Sequence, residues 1–155
     1  MESKKVLFIC NKGGHYSQML QLKELMLKCD SIVVSDKRNG AKDWEGVADY
    51  KCIDAYNIKK IRLPYFIKNI FDCLGILIKS KPEYIVTTGA GLAIPMFMVG
   101  KLLRKKLVFI ESRARVYSKS SSGKILGKLS NHIIVQWPEM LNIYGSKAKY
   151  YGTIV

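Results

Sequence analysis

Two glycine-bearing segments and one isolated carboxylate hold the residue types that chemistry on an anionic substrate needs. Asn11-Lys12-Gly13-Gly14-His15 leaves a short apolar run and opens a helix. Glycines let backbone N–H groups approach an anion, and a helix N-terminus adds a favourable dipole. An imidazole there, with an ordinary pKa of about 6.5, suits a general base at neutral pH. The segment lacks the G-K-S/T ending of a Walker loop and the full G-x-G-x-x-G fingerprint. It equally fits a tight turn whose His15 caps the helix or faces solvent. Thr87-Thr88-Gly89-Ala90-Gly91 repeats the arrangement after a later apolar run. Two such loops at one sheet edge face one cleft; the alternative is two ordinary turns. Position 94 is Ile, which counts against a dinucleotide site.

Glu111 ends the run 107–110 and is followed by Ser112, Arg113 and Arg115. A carboxylate at the carboxyl end of a strand is placed for ligand hydroxyls or proton transfer; the plainer reading is an ion pair with Arg113 or Arg115. Ser118 and Ser120 to Ser122 precede Gly123-Lys124. They fit a helix cap that helps to hold phosphate, while their composition alone reads as a flexible loop. Two histidines and scattered cysteines give no metal-ligand spacing, and no Ser-His-Asp or Cys-His set can be assembled.

The elements that position these residues follow from periodicity. Val6 to Cys10, Ser31 to Ser35, Tyr50 to Ile53, Tyr84 to Thr88, Leu107 to Ile110 and Ile133 to Val135 read as strands. Helical spacing runs over Met19, Leu20, Leu22, Leu25 and Met26, from Pro64 to about Lys79, from Leu92 to Leu103, over Ile125 to Leu129 and over Glu139 to Tyr144. Gly152 to Val155 reads as the start of a further strand. Strands alternate with helices and are continuously apolar, which predicts an α/β domain whose parallel sheet is covered on both faces. Ligands of such sheets bind beyond the strand carboxyl ends. That directs attention to loops 11–15, 35–46, 88–92, 111–123 and 136–139.

The 155 residues make one domain, 1–155, and 48% apolar content excludes disorder as the main description. The net charge of +14 points to an anionic partner: nucleic acid, a membrane surface or phosphorylated compounds. Cys10, Cys29, Cys52 and Cys73 read as reduced core cysteines. Neither a signal peptide nor a membrane-spanning stretch is expected: the longest uncharged apolar run is Leu92 to Gly100, against roughly 20 residues for a span. Lys59-Lys60-Arg62 and Lys101, Arg104-Lys105-Lys106 flank the two most apolar helices. Basic edges beside broad apolar faces suit an anionic bilayer surface; alternatively both helices are core and the lysines merely solvate. The basic residues form no single stripe with exposed aromatics, so nucleic-acid binding is not expected.

Gly13-Gly14-His15, Thr88-Gly89-Ala90-Gly91 with Pro95, Phe109-Ile-Glu-Ser112-x-Ala114-Arg-Val116, Ser121-x-Gly123-Lys and Val135-Gln-Trp137 occur in that order. Together they resemble the Alg-fourteen-like accessory, membrane-associated subunit of two-part UDP-sugar transferases. Bacterial members of that family act in capsular and exopolysaccharide biosynthesis. More remotely, the chain is similar to the N-terminal, acceptor-side half of MurG-type GT-B glycosyltransferases.

The resemblance implies a single Rossmann-like acceptor domain, a cytoplasmic place on the inner face of the plasma membrane and no cofactor. It implies a heterodimer with a subunit that binds the UDP-sugar, an acceptor glycan linked to polyprenyl diphosphate, and little activity alone. His15 becomes the candidate for activating the acceptor hydroxyl and Glu111 for shaping the site. Gly13, Gly14, Gly89, Gly91, Arg113, Arg115, Ser121 and Ser122 become candidates for holding acceptor and phosphate. Gly152, Thr153, Ile154 and Val155 become candidates for the partner contact. A GT-B enzyme needs two such halves, and 155 residues make one. Two readings compete: a free-standing enzyme on a nucleotide or phosphorylated metabolite, and, less favoured, a nucleic-acid-binding module.

Overall fold

Continuous apolar runs form strands that must be buried on both sides, and here they assemble one seven-stranded sheet. The computed structural model describes residues 3–53 and 63–154. Its strands are β1 (Lys5–Cys10), β2 (Asp30–Ser35), β3 (Asp49–Cys52), β4 (Tyr84–Thr87), β5 (Lys106–Ile110), β6 (His132–Val135) and β7 (Ala148–Tyr150). They lie in the order β3-β2-β1-β4-β5-β6-β7 and every pairing is parallel. Strand order reverses between β1 and β4, so a crevice opens at their carboxyl ends.

The helices are α1 (Gly14–Leu20), α2 (Lys23–Met26), α3 (Leu63–Ser80), α4 (Ala93–Leu102), α5 (Gly123–Leu129) and α6 (Met140–Tyr144). Residue alternation splits the core in two. Leu7, Ile9, Ile85, Leu107, Phe109 and Ile133 face α3, α4 and the C-terminal helices. Val6, Phe8, Cys10 and Val33 face Tyr16, Met19 and Met26 of α1 and α2 and the buried Trp44. The Trp44 indole donates to the Tyr16 hydroxyl at 2.8 Å, and that hydroxyl donates to Asp43 at 2.7 Å.

The structure revises four expectations. The first helical stretch breaks at Gln21–Leu22, where the chain turns between α1 and α2. The last strand is β7, and residues 151–154 after it are not strand. Their hydrogen bonds go to Gln136 instead: Thr153 Oγ1 donates to its carbonyl and the Ile154 amide to its Oε1, both at 2.8 Å. Cover on the α1–α2 face is also incomplete. An apolar depression of about 270 Å³ there is lined in part by Val86, Val108, Ile110 and Ile134 of β4, β5 and β6. Finally, only Cys10 and Cys73 are buried, and burial pushes both thiols up to about 12; Cys52 is exposed.

The outer side of α3 carries a second apolar stripe. Leu63, Ile67, Phe71 and Ile78 recur at helical spacing and point away from the core, with Phe71 65% exposed. Met98, Leu102 and Leu103 at α4 are exposed too. No helix of the described residues is long and apolar enough to cross a membrane. Lys59, Lys60 and Arg62 lie outside the described residues.

Candidate functional site

The site is built where β1, β4, β5 and β6 end. Asn11 follows β1 and cross-links three loops: its Nδ2 donates to Asp36 after β2 at 3.3 Å, and its Oδ1 accepts the Leu92 amide at 3.0 Å. Asp36 also accepts the Lys12 amide at 2.5 Å. One N–H of the first glycine segment is therefore satisfied by an internal carboxylate. Gly13 at φ 97° takes the left-handed turn into α1 that a side chain resists.

That turn sets His15 beside the second glycine loop. His15 Nδ1 lies 2.8 Å from the Thr88 carbonyl, and the Thr88 hydroxyl donates back to the His15 carbonyl at 2.8 Å. A carbonyl only accepts, so Nδ1 carries the proton and neutral His15 keeps its lone pair on Nε2. Gly89 makes this possible: a Cβ there would stand 2.9 Å from His15 Cε1. The Gly89 amide bonds Thr87 Oγ1 at 3.0 Å and the Ala90 amide bonds Ser122 Oγ at 3.2 Å. These amides buttress the loop, which in turn orients His15.

Glu111, only 1% exposed, sits beneath the cleft. Its oxygens accept the amides of Ser112 at 2.8 Å and Ser120 at 3.1 Å, together with the Tyr144 hydroxyl. The ion pair with Arg113 or Arg115 considered from the sequence is not formed; backbone and phenol take its place. Burial and then the bond to Glu111 hold the Tyr144 phenol well above its ordinary range, so it stays a donor. Ser120 Oγ accepts the Gly123 amide at 2.9 Å, closing loop 111–122 on the start of α5.

The cleft above holds about 490 Å³ and is lined by His15, Ser17, Gln18, Ser112, Arg113 and Ile154, with Gly14 at its base. It thus gathers Gly14, His15, Arg113 and Ile154 from the sequence-based candidates. Gly13 adjoins it, Gly89 lies behind His15, and Glu111 and Ser122 support it from below. Gly91, Arg115 and Ser121 are not among its lining residues. The Trp137 indole donates to the Arg113 carbonyl at 2.7 Å, and Gln136 pins Ile154 into the cleft wall. Val155 lies outside the described residues. Sequence reasoning missed Tyr144, Asp36 and the polar side of α1 carrying Ser17 and Gln18, with Gln21 just past its end. Only the last left a local signal, since those positions share one side of a helix that starts at the glycine turn.

Chemically, the cleft offers a base with an oriented lone pair, a cation at Arg113 and hydroxyl and amide groups able to hold a sugar. Among the described residues no group of His, Cys, Asp and Glu could hold a metal ion.

Comparison with known proteins gives a consistent picture. The mouse UDP-N-acetylglucosamine transferase subunit ALG14 is 27% identical over 99% of this chain and 84% of its own length. The Yarrowia lipolytica subunit of the same name is 28% identical over 97% and 81%. Among solved structures, Acinetobacter baumannii MurG superposes with a TM-score of 0.80 at 14% identity, over 98% of this chain and 46% of that one. Neisseria meningitidis UDP-GlcNAc 2-epimerase superposes at 0.71 and 13% identity, again over 46% of its chain. This chain therefore spans less than half of either enzyme, and at such identities the likeness is one of fold. The Oligosaccharide biosynthesis protein Alg14 like family matches residues 6–154, and the chain belongs to that family.

Proposed function

We propose that this chain is the acceptor-side subunit of a heteromeric glycosyltransferase, joining a partner that binds a UDP-sugar. The observation that carries the reading is the fit of nearly the whole chain onto less than half of MurG, together with an open cleft lined by His15 and Arg113. The acceptor is a glycan on polyprenyl diphosphate, in capsule or exopolysaccharide assembly. UDP-N-acetylglucosamine is the first donor to test, since the relatives' names specify it.

In this reading the acceptor hydroxyl lies against His15. Its oxygen bonds to the anomeric carbon as the bond to UDP breaks, and its proton passes to His15 Nε2. Glu111, through Ser112 and Ser120, holds the loop that carries Arg113 against the acceptor. The diphosphate favours the basic chain through Coulomb attraction. Support for a partner comes from the uncovered apolar face over β4, β5 and β6 and from the tail 152–154 at the cleft. Support for a peripheral membrane site comes from the exposed stripe of α3 and the basic residues around α4.

The test is co-expression with a transferase polypeptide encoded beside this chain, followed by transfer of labelled sugar from UDP to a polyprenyl-diphosphate acceptor. Transfer by the pair and by neither chain alone is expected. Transfer by this chain alone, or none by the pair, would overturn the reading.

A further inference from the structure

The edge of the sheet opposite the cleft carries a different feature. A cavity of about 360 Å³ opens there, lined by Lys101, Arg104, Lys105, Ser130, Asn131 and Lys147. These residues come from three places the fold brings together. Lys101, Arg104 and Lys105 surround the end of α4, Asn131 precedes β6, and Lys147 precedes β7. All lie at the amino ends of the strands, remote from His15.

Four cations line this cavity and no acidic side chain does. None of the four is ion-paired with another described residue. Two are held in place by the backbone. Arg104 adopts a left-handed conformation, φ 55°, where helices usually place glycine. The turn is closed by the Lys105 amide donating to the Gly100 carbonyl at 2.8 Å. Lys147 Nζ donates to the Ser130 carbonyl at 3.2 Å, which draws it over the cavity. Asn131 Oδ1 is occupied by the Leu107 amide at 2.8 Å, so its NH2 is the end left for a ligand. Cations near a helix C-terminus gain from the dipole, but that effect engages the last turn of one helix. It does not account for Lys147, which arrives from another element.

We infer that this cavity binds a phosphate group, carried by an anionic lipid headgroup or by a soluble phosphate compound. Several convergent ammonium and guanidinium donors without a counter-charge suit a phosphate better than a single carboxylate. Leu102 and Leu103, between Lys101 and Arg104 in the chain, are exposed, and they give the acyl chains of a bound headgroup apolar surface nearby. The lipid source rests on the membrane reading above; the soluble source does not.

The test compares two triple variants of equal net charge. One is Lys101→Gln/Lys105→Gln/Lys147→Gln; the other, away from the cavity, is Lys28→Gln/Lys42→Gln/Lys51→Gln. Each protein is titrated with inorganic pyrophosphate, following the Asn131 amide and the backbone amide at position 147 by NMR. Each is also mixed with vesicles of phosphatidylcholine with and without phosphatidylglycerol. Removing cations at an anionic bilayer lowers binding roughly fivefold each, so the cavity variant is expected to lose about 100-fold. The control variant should stay within about tenfold of wild type. A selective loss for vesicles assigns the lipid source, and a selective loss for pyrophosphate alone assigns the soluble one. Equal behaviour of both triple variants in both arms overturns the inference. Failure of wild type to bind any vesicle defeats the membrane reading, while the pyrophosphate arm still decides the cavity.

Discussion

The cleft edge of the sheet and the outer face of α3 are both open to solvent, yet they are built on opposite principles. At and beneath the cleft several polar groups are tied to distant segments: His15 to Thr88, Glu111 to Ser120 and Tyr144, Gln136 to Ile154. On α3 the exposed residues Ile67, Phe71 and Ile78 are apolar and face away from the core. Proton transfer needs a base held within hydrogen-bond reach of its target, whereas adhesion to a bilayer needs only apolar area and nearby charge. The difference teaches that one surface is specified by geometry and the other by composition. Substitutions should separate them.

Removing residues 152–155 should have the largest effect. It takes away the segment pinned by Gln136 and exposes the cleft wall, and co-purification with the transferase partner should be abolished while the circular dichroism spectrum is kept. His15→Ala comes next. Loss of a general base costs roughly 100- to 10,000-fold in rate, so kcat of the reconstituted pair should fall by that factor with partner binding intact. Near-wild-type turnover would place the base on the partner.

On α3, a Phe71→Asp/Ile67→Asp variant should bind anionic vesicles at least about tenfold more weakly, since each large apolar side chain contributes about 1.5–3 kcal/mol when buried. Its stability should stay within about 0.5 kcal/mol of wild type, because both positions are exposed. The reverse pattern belongs to Gly123→Ala beneath the cleft. A Cβ there would stand 2.5 Å from Glu111 Oε2 and 2.7 Å from Ser120 Oγ. Overpacking of this kind costs roughly 1–3 kcal/mol, readable as a lowered urea midpoint, and membrane binding should not change.

Much of this was legible in the residues. Strands β1, β2, β4, β5 and β6 are unbroken apolar runs, and the glycine turns after β1 and β4 flag the cleft edge. Strand β7 escaped because Ala148-Lys149-Tyr150 is short and half polar, as befits an edge strand. The tail after it resembled a strand because Thr153 and Ile154 are β-branched, yet its amide and hydroxyl groups are satisfied by Gln136. Tyr144 is 33 residues from Glu111, and no local pattern announces a pair so distant. The uncovered sheet face was equally invisible: Val108 and Ile134 have the same composition whether a helix of this chain or of a partner covers them.

The central claim is a division of labour, with the acceptor on this chain and the nucleotide on another. Titration of the isolated chain and of the isolated partner with UDP, followed calorimetrically, tests it most directly. The account predicts saturable UDP binding by the partner and none by this chain. Saturable binding of UDP to this chain alone would contradict it and favour a free-standing nucleotide enzyme.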